Sequence, residues 1–391
     1  MNICLKFLYT VCGAIAVMAI ASCGSAPSPR ERYRQESYKP IEEYIRIAIM
    51  EYEHAVHISI QGGAISSGNQ TITLNSPKTL TVHGASLAVE GSKLQLPVTI
   101  ESPGPLHIND RPVYGHLIVE DGYIINVLPI DEYVTGVLNG EVPSSWPLEV
   151  LKAQAVVSRT YAQLRILQYD DELFHAGSSE LFQKYEYTQN SDAIERAVRD
   201  TTNEILLYQN QPIEAFFHAC SGGRTENSRD VFQKDLPYLR SIPDPYCAKN
   251  ERFFWTYTVT ADHIANFLYE YGLTADHIMN IRDIRIHDRT GSGRVASFSV
   301  QSEGQERLII PGNSMRIAID AKSFKSLLIT SVSRHMSGDK TEFTFEGRGY
   351  GHGVGMSQWG AKEMADQGFT YRDILSYYYR GARVGTIWDI R

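Results

Sequence analysis

This chain contains little cysteine. It has no excess of basic over acidic residues, and it has no long apolar run beyond its first residues. The 391 residues include five cysteines, too few for a disulfide-rich scaffold. Lys and Arg number 37 against 45 Asp and Glu, which excludes a dedicated nucleic-acid binder with a broad basic face. Apolar residues make up 43% and charged residues 21% of the chain, a composition that indicates a protein folding in water.

The amino terminus is typical of an export signal with a lipid-attachment motif. An apolar run over 7–21 follows one lysine and ends in small residues before Cys23, whose thiol would receive lipid. We expect residues 1–22 to be a signal peptide and residues 23–40 to be a flexible tether that holds the exported protein at a membrane of the cell envelope. A plain signal peptide or a short membrane anchor is the alternative.

Two cysteines remain beyond the tether, Cys220 and Cys247. An even pair outside the cytoplasm predicts a disulfide. Two buried free thiols or a pair of metal ligands are alternatives. A further one is a thiol nucleophile, with His218 as the base for Cys220.

Short alternating apolar runs separated by turn residues predict a β-rich part over 41–127. A helix is expected over 131–139, and a second from Pro147 to about Gln168, because proline is tolerated in a first turn and neither Gly nor Pro follows. Helices and mainly antiparallel strands in mixed order predict an α+β fold, in which the β-rich part precedes a core over 128–391.

Glu141 lies between the two predicted helices, beside Val142, Pro143 and Trp146. Apolar neighbours can desolvate a carboxylate and raise its pKa toward the range of a general acid. A capping or solvated glutamate is the alternative. The second helix carries a polar stripe that either faces solvent or lines a cleft: Gln154, Ser158, Tyr161 and Arg165.

Two glycine-containing segments are further candidates. Ser221 is followed by two glycines, which suit either a turn whose N–H groups face a ligand or a purely structural turn. Glycines alternate over 347–355, a spacing that fits neither of the common nucleotide-binding loops. We expect a strand there that admits a neighbouring backbone or a sugar ring, with His352, Gln358 and Trp359 available to hydrogen-bond or stack. A tightly packed structural junction is the alternative.

Together these segments resemble the SpoIID/LytB domain family, the stage II sporulation protein D family, over about 41–383. In sequence order the similarity is carried by 128–134 leading into 140–143, 151–156 with 159–161, 218–227 and 349–360. The resemblance implies a lytic transglycosylase that cleaves peptidoglycan strands stripped of their stem peptides, with Glu141 as the catalytic carboxylate. The candidates for binding and positioning the glycan are Gln154, Arg159, Tyr161, Ser221, Thr225, Glu226, His352, Gln358 and Trp359.

The chain departs from the family pattern at one place. Some relatives bind zinc partly through a His-Cys pair before a Gln-x-Tyr segment, whereas here Leu181 and Phe182 precede Gln183, and phenylalanine cannot ligate metal. We therefore expect no metal and no cofactor. The expected partners are the denuded glycan, an N-acetylmuramoyl-L-alanine amidase and, through the lipid, a membrane; nucleic acid is not expected. The alternative function is a non-catalytic glycan-binding module that enhances such an amidase.

Overall fold

A computed structural model of the chain describes residues 44–177, 191–249, 253–274, 276, 278, 280–304 and 306–390. The predicted signal peptide, the tether with Cys23 and the segment 181–183 lie outside these ranges. Residues Ile41–Arg391 belong to one compact unit. Within the described ranges, no helix is both long enough and apolar enough to cross a membrane.

The amino-terminal part is built from short strands with one apolar face, as the alternation predicted. In one of them Val56, Ile58 and Ile60 are buried whereas His57 is exposed. The strands are β1 Tyr44–Glu51, β2 Val56–Ile60, β3 Gly63–Ser67, β4 Gln70–Leu74, β5 Lys78–His83, β6 Ser86–Val89, β7 Ser92–Gln95, β8 Val98–Glu101, β9 Leu106–Ile108, β10 Arg111–Val113, β11 His116–Glu120, β12 Tyr123–Pro129 and β13 Ala176–Gly177. They form a seven-stranded sheet, β13-β1-β12-β11-β8-β3-β4, and a six-stranded sheet, β10-β9-β2-β5-β6-β7. Most of their Val, Ile and Leu side chains make one apolar core, whereas Ile45, Ile47 and Leu128 belong to the core of the following helices.

Helices α1 (Ile130–Glu141) and α2 (Leu148–Gln168) follow β12, close to their predicted bounds. Proline occupies both N-cap positions, at Pro129 and Pro147. Because α2 is buried along most of its length, it forms the centre of the largest apolar core. The other α-helices of the described ranges are α3 Asp192–Asp200, α4 Ser228–Phe232, α5 Ala261–Glu270, α6 Gly312–Asp320, α7 Gln358–Asp366 and α8 Tyr371–Tyr378.

The remaining strands form small sheets around this core. They are β14 Glu204–Tyr208, β15 Gln211–Pro212, β16 Phe217–His218, β17 Phe254–Thr260, β18 Ile281–Arg289, β19 Val295–Ser302, β20 Leu308–Pro311, β21 Ile329–Ser337, β22 Lys340–Arg348, β23 Met356–Ser357 and β24 Arg383–Thr386. Sheets β17-β22-β21 and β18-β19-β20 share a separate aromatic core that contains Phe298, Phe324 and Phe345. Most strand pairs are antiparallel, so the predicted α+β class is confirmed.

Candidate functional site

Glu141 is the last residue of α1, at a rigid corner between α1 and α2. Val142 leaves the helical conformation, with φ −136° and ψ 143°, while its N–H still donates to the Leu138 carbonyl at 3.0 Å. The corner closes through a hydrogen bond from the Trp146 N–H to the Pro143 carbonyl at 3.1 Å. The Glu141 side chain is half-buried. The corner therefore holds a carboxylate on a helix end beside apolar side chains.

The corner contacts a second segment through two tryptophans. The rings of Trp146 and Trp359 meet edge to face, with centroids 4.9 Å apart. Trp359 is half-buried and lies in the first turn of α7, where Ser357 caps the helix by accepting from the Gly360 N–H. The structure thus brings segment 349–360 to the corner after Glu141, although more than 200 residues separate them in sequence.

The segment 218–221 joins the same place. Strand β16 pairs in parallel with β23, which sets His218 opposite Ser357. The Trp359 N–H donates to the Ala219 carbonyl at 3.0 Å, and the Ser221 N–H donates to the Ser357 hydroxyl at 3.3 Å. All three segments that the sequence singled out therefore meet around the start of α7.

The predicted glycine strand is wrong. Strand β22 ends at Arg348, and the alternate glycines of 349–355 have left-handed φ values of +80°, +105°, +85° and +74°. At Gly349, a Cβ would lie 2.6 Å from the Cys220 carbonyl oxygen and 2.7 Å from the Gly222 nitrogen. The alternating glycines hence have two physical causes. Their positive φ values would strain any residue with a Cβ, and the backbone packs against the 220–222 turn.

Two imidazoles lie behind the start of α7. The rings of His218 and His352 have centroids 5.6 Å apart. The His218 Nδ1–H donates to the Val354 carbonyl at 3.1 Å, and His352 Nδ1 accepts from the Val354 N–H at 3.0 Å. Burial lowers the pKa of His218 well below its ordinary value and that of His352 to about 4. Both rings are therefore uncharged near neutral pH.

The polar stripe of α2 does not face solvent. Gln154 and Ser158 are fully buried and hydrogen-bond each other at 3.4 Å, and Tyr161 is buried beneath the guanidinium of Arg165. Within the described ranges, Gln154 Oε1 and the Tyr161 hydroxyl have no hydrogen-bond partner. Gln358 Nε2, at the start of α7, is likewise buried without a partner there.

Arg159, a candidate for binding or positioning the glycan, makes its contacts within the protein. Its side chain is only 2% exposed. The guanidinium pairs with Asp131 at 2.8 Å and donates to the carbonyls of Val198, Thr201 and Glu204. These bonds tie α2 to α1 and to the end of α3, and they leave the guanidinium no face for a ligand.

Three further candidates for binding or positioning the glycan also make their contacts within the protein: Ser221, Thr225 and Glu226. All three side chains are at most 1% exposed. Ser221 Oγ accepts from the Gly223 N–H, and Thr225 Oγ1 accepts from a backbone N–H of the neighbouring chain segment at 2.9 Å. The Glu226 carboxylate accepts from the Asn227 N–H at 2.8 Å and from two hydroxyls of the 290–292 turn.

Arg294 is a contributor that sequence reasoning missed. It is 2% exposed, and its guanidinium donates to the carbonyls of Ser221 at 2.7 Å and Arg224 at 3.0 Å. The guanidinium lies against Gly353, where a Cβ would collide with it. Arg294 thus joins the 221–224 turn to the glycine segment. A lone arginine after a Gly-Ser-Gly turn gave no signal of this role.

The predicted disulfide is not formed in the structure. Cys220 and Cys247 are free, buried thiols in one small cluster, with the Cys220 Sγ–H directed to the Cys247 carbonyl at 3.7 Å. The interaction with Cys247 and burial raise the pKa of Cys220. A protonated, buried thiol does not suit the alternative in which Cys220 is a nucleophile. His218 is hydrogen-bonded elsewhere, so that dyad is not assembled.

Zinc ligation has no support in the described part of the chain. Those residues contain no group of three or more His, Cys, Asp or Glu side chains that could hold a metal ion. The position of the family's His-Cys pair, at Leu181 and Phe182, lies outside the described ranges. At that position the sequence has phenylalanine, which cannot ligate a metal ion.

The fold is of the α+β class, and segments from distant parts of the chain meet beside the helical corner that follows Glu141. The chain belongs to the stage II sporulation protein D family. It is 30% identical to stage II sporulation protein D of Bacillus subtilis over 77% of this chain and 87% of that protein. Residues 120–208 match the family model "Stage II sporulation protein", and residues 189–355 match a domain of unknown function.

Two other relatives cover much of the chain. An uncharacterized protein of Brachyspira hyodysenteriae is 31% identical over 73% of this chain and 76% of that protein. A Bacillus subtilis protein named amidase enhancer is 28% identical over 63% of this chain, but over 39% of its own length. The similarity thus extends well beyond the corner that holds Glu141.

Proposed function

We propose that the protein is a peptidoglycan lytic transglycosylase, and that it cleaves the β-1,4 bond between N-acetylmuramic acid and N-acetylglucosamine in strands freed of stem peptides. The observation that carries the proposal is the place of Glu141, a half-buried carboxylate on a helix end beside the buried Val142 and Trp146. Trp359, in contact with Trp146, offers a half-buried aromatic surface on which a pyranose ring can stack. Family membership supports the same substrate.

In this mechanism a single carboxyl group acts twice. Protonated Glu141 donates its proton to the glycosidic oxygen, the bond from that oxygen to C1 of N-acetylmuramic acid breaks, and N-acetylglucosamine leaves with a free hydroxyl. The ionised Glu141 then takes the proton of the C6 hydroxyl of N-acetylmuramic acid while the oxygen of that hydroxyl bonds to C1. One bond breaks, one bond forms, no water is consumed, and the product ends in a 1,6-anhydro ring.

The mechanism requires Glu141 to begin protonated. The residues next to it in the chain include the buried, apolar Val142 and Trp146. A hydrolase would use a second carboxylate to activate water. The intramolecular hydroxyl gains from its fixed proximity to C1 instead.

The test is mass spectrometry of products released from amidase-treated peptidoglycan. The wild-type chain should release anhydro-muramoyl ends, which are lighter by one water than hydrolysis products. Glu141→Gln should abolish release while leaving the fold and glycan binding intact, because the amide keeps the shape without a transferable proton. Glu195→Gln, an exposed glutamate on α3, is the matched control and should cleave normally. Cleavage by Glu141→Gln at the wild-type rate would refute the assignment.

The relative named amidase enhancer favours a second candidate function. In that case the chain binds glycan without cleaving it and stimulates an N-acetylmuramoyl-L-alanine amidase. Wild type and Glu141→Gln would then both stimulate the amidase, and neither would release anhydro ends. The same measurement therefore separates the two functions.

Export and lipid anchoring complete the proposal. Cys23 would hold the chain at a membrane of the cell envelope, where glycan strands are within reach. Cys23→Ala should move the protein from the membrane fraction to the soluble envelope fraction. Retention of this variant in the membrane would refute the anchor.

A further inference from the structure

A groove of about 360 Å³ lies at one end of the seven-stranded sheet, at the opposite end of α1 from Glu141. Tyr44 of β1 pairs with Pro129 of β12, and His116 of β11 pairs with Val127, so these strand ends meet where α1 begins. Glu132 in the first turn of α1 borders the groove. It is about 14 Å along the helix from Glu141.

Two aromatic rings and two carboxylates line this groove. Tyr44 is 50% exposed and Tyr114 is 37% exposed. Glu101, at the end of β8, and Glu132 are exposed as well. Neither carboxylate has a hydrogen bond or an ion pair with another residue of the described ranges, and no Lys or Arg lines the groove there.

The wall of the groove is fixed before any ligand binds. Asn126 is fully buried and donates through Nδ2 to the carbonyls of Tyr114 at 2.6 Å and His116 at 3.3 Å. Between these two residues Gly115 has φ +79°, and a Cβ there would collide with the Val127 carbonyl. The bend that presents the Tyr114 ring is therefore held from below.

Among the described residues that line the groove, no positive charge compensates the two carboxylates. Burial lowers the pKa of His116, so its ring adds no positive charge near neutral pH. Partial burial raises the pKa of Glu132, which a cation in the groove would reverse by stabilising the ionised form. An anionic ligand would be repelled, and a neutral sugar would leave both carboxylates without a counter-charge.

We propose that this groove binds a primary ammonium group on an aliphatic chain, the chemistry of a lysine side chain in a peptide that is not part of the stripped glycan. The carboxylates of Glu101 and Glu132 would accept hydrogen bonds from the ammonium group. The faces of Tyr44 and Tyr114 attract a cation electrostatically and cover the aliphatic stem.

The test is a ligand-observed NMR titration of the full chain with Nα-acetyl-lysine amide. The matched probe carries a second acetyl group on the side-chain nitrogen, which removes the charge and keeps the length. We expect the charged probe to bind more tightly than the neutral one, and binding to weaken with added salt. Glu101→Gln and Glu132→Gln should each weaken binding by about 5-fold. Glu51→Gln, an exposed glutamate at the far end of β1, should leave it unchanged.

Three outcomes would overturn the proposal. Equal affinity for the charged and neutral probes would show that the carboxylates do not bind the ammonium group. If the charged probe does not bind at all, the groove is not a site for it. Binding of N,N′-diacetylchitobiose that is lost in Tyr44→Ala and Tyr114→Ala, without binding of the charged probe, would make the groove a saccharide site. Both tyrosines are exposed, so their replacement should not unfold the protein. Circular dichroism of the two variants is the check on their fold. The release of anhydro ends by Glu132→Gln is measured separately. It reports on the reaction at Glu141 and not on binding in the groove, so failure of one proposal can be told from failure of the other.

Discussion

Replacing Gly349 with alanine tests whether the 349–355 segment is held by backbone conformation and close packing. At φ +80° a residue with a Cβ is disfavoured by about 1–2 kcal/mol. The new Cβ would also lie 2.6 Å from the Cys220 carbonyl oxygen, so the two backbones must separate. Their paired hydrogen bonds, Tyr350 N–H to Cys220 at 2.7 Å and Cys220 N–H to Tyr350 at 3.0 Å, would then weaken, each at about 1 kcal/mol. We expect a loss of about 3–4 kcal/mol in the free energy of unfolding.

Gly368 provides the matched control, because it separates conformation from packing. It has φ +90°, and a Cβ there would meet nothing within 4 Å. Gly368→Ala should therefore cost only the conformational part, about 1–2 kcal/mol. Urea unfolding of both variants and wild type, followed by circular dichroism, measures the difference. Equal losses in the two variants would refute the close approach of the 349–355 segment to the 220–222 turn.

The same variant bears on activity. The 220–222 turn continues from His218 and Ala219, and the Ala219 carbonyl positions Trp359 through its N–H. Separation at Gly349 should displace that turn, so anhydro-end release should fall even at temperatures where Gly349→Ala remains folded. Full activity per folded molecule would show that this junction is structural alone.

Two further predictions follow from the titrating groups. The pKa of His352 is about 4 in the folded state against an ordinary 6.5, so the unfolded chain binds more protons between these pH values and the free energy of unfolding should fall as the pH falls through that window. In urea unfolding at several pH values, His352→Gln should reduce this dependence of stability on pH. An unchanged dependence would contradict the assignment. Cys220 and Cys247 should resist alkylation in the native protein because both thiols are buried, and they should react without reductant once the protein is denatured. If mass spectrometry finds the two cysteines bridged, the disulfide that the sequence predicts is correct.

The regular elements could be predicted because their signals are local. Pro147 followed by a run without Gly or Pro defined α2, and alternating apolar residues defined the strands of the β-rich part. Thr370 and Asp373, three residues apart, form a capping box, and α8 begins at Tyr371, the residue after Thr370. In each case the residues that decide the structure lie within a few positions of one another, so the physics that forms the element is visible in a short window.

The conformation of the glycine segment could not be predicted, since two structures share its period. Glycines at every second position fit a strand with one face open, and they equally fit a loop in which every second residue has positive φ. The contact that decides between them, Gly349 against Cys220, joins residues 129 positions apart. The contacts of Arg159 and Arg294 could not be predicted for the same reason, because their acceptors are backbone carbonyls that no side-chain pattern reveals.

Hydrogen-bond satisfaction divides the polar residues that sequence similarity had grouped together. The donors of Arg159 and the acceptors of Glu226 are taken up by the protein itself, so a sugar would have to break existing bonds to reach them. Gln154 Oε1, the Tyr161 hydroxyl and Gln358 Nε2 are buried without partners in the described part of the chain. An unsatisfied buried polar atom costs about 1–3 kcal/mol. Arg159 and Glu226 therefore stabilise the fold through their hydrogen bonds, whereas these three atoms carry a cost that a bound water would recover.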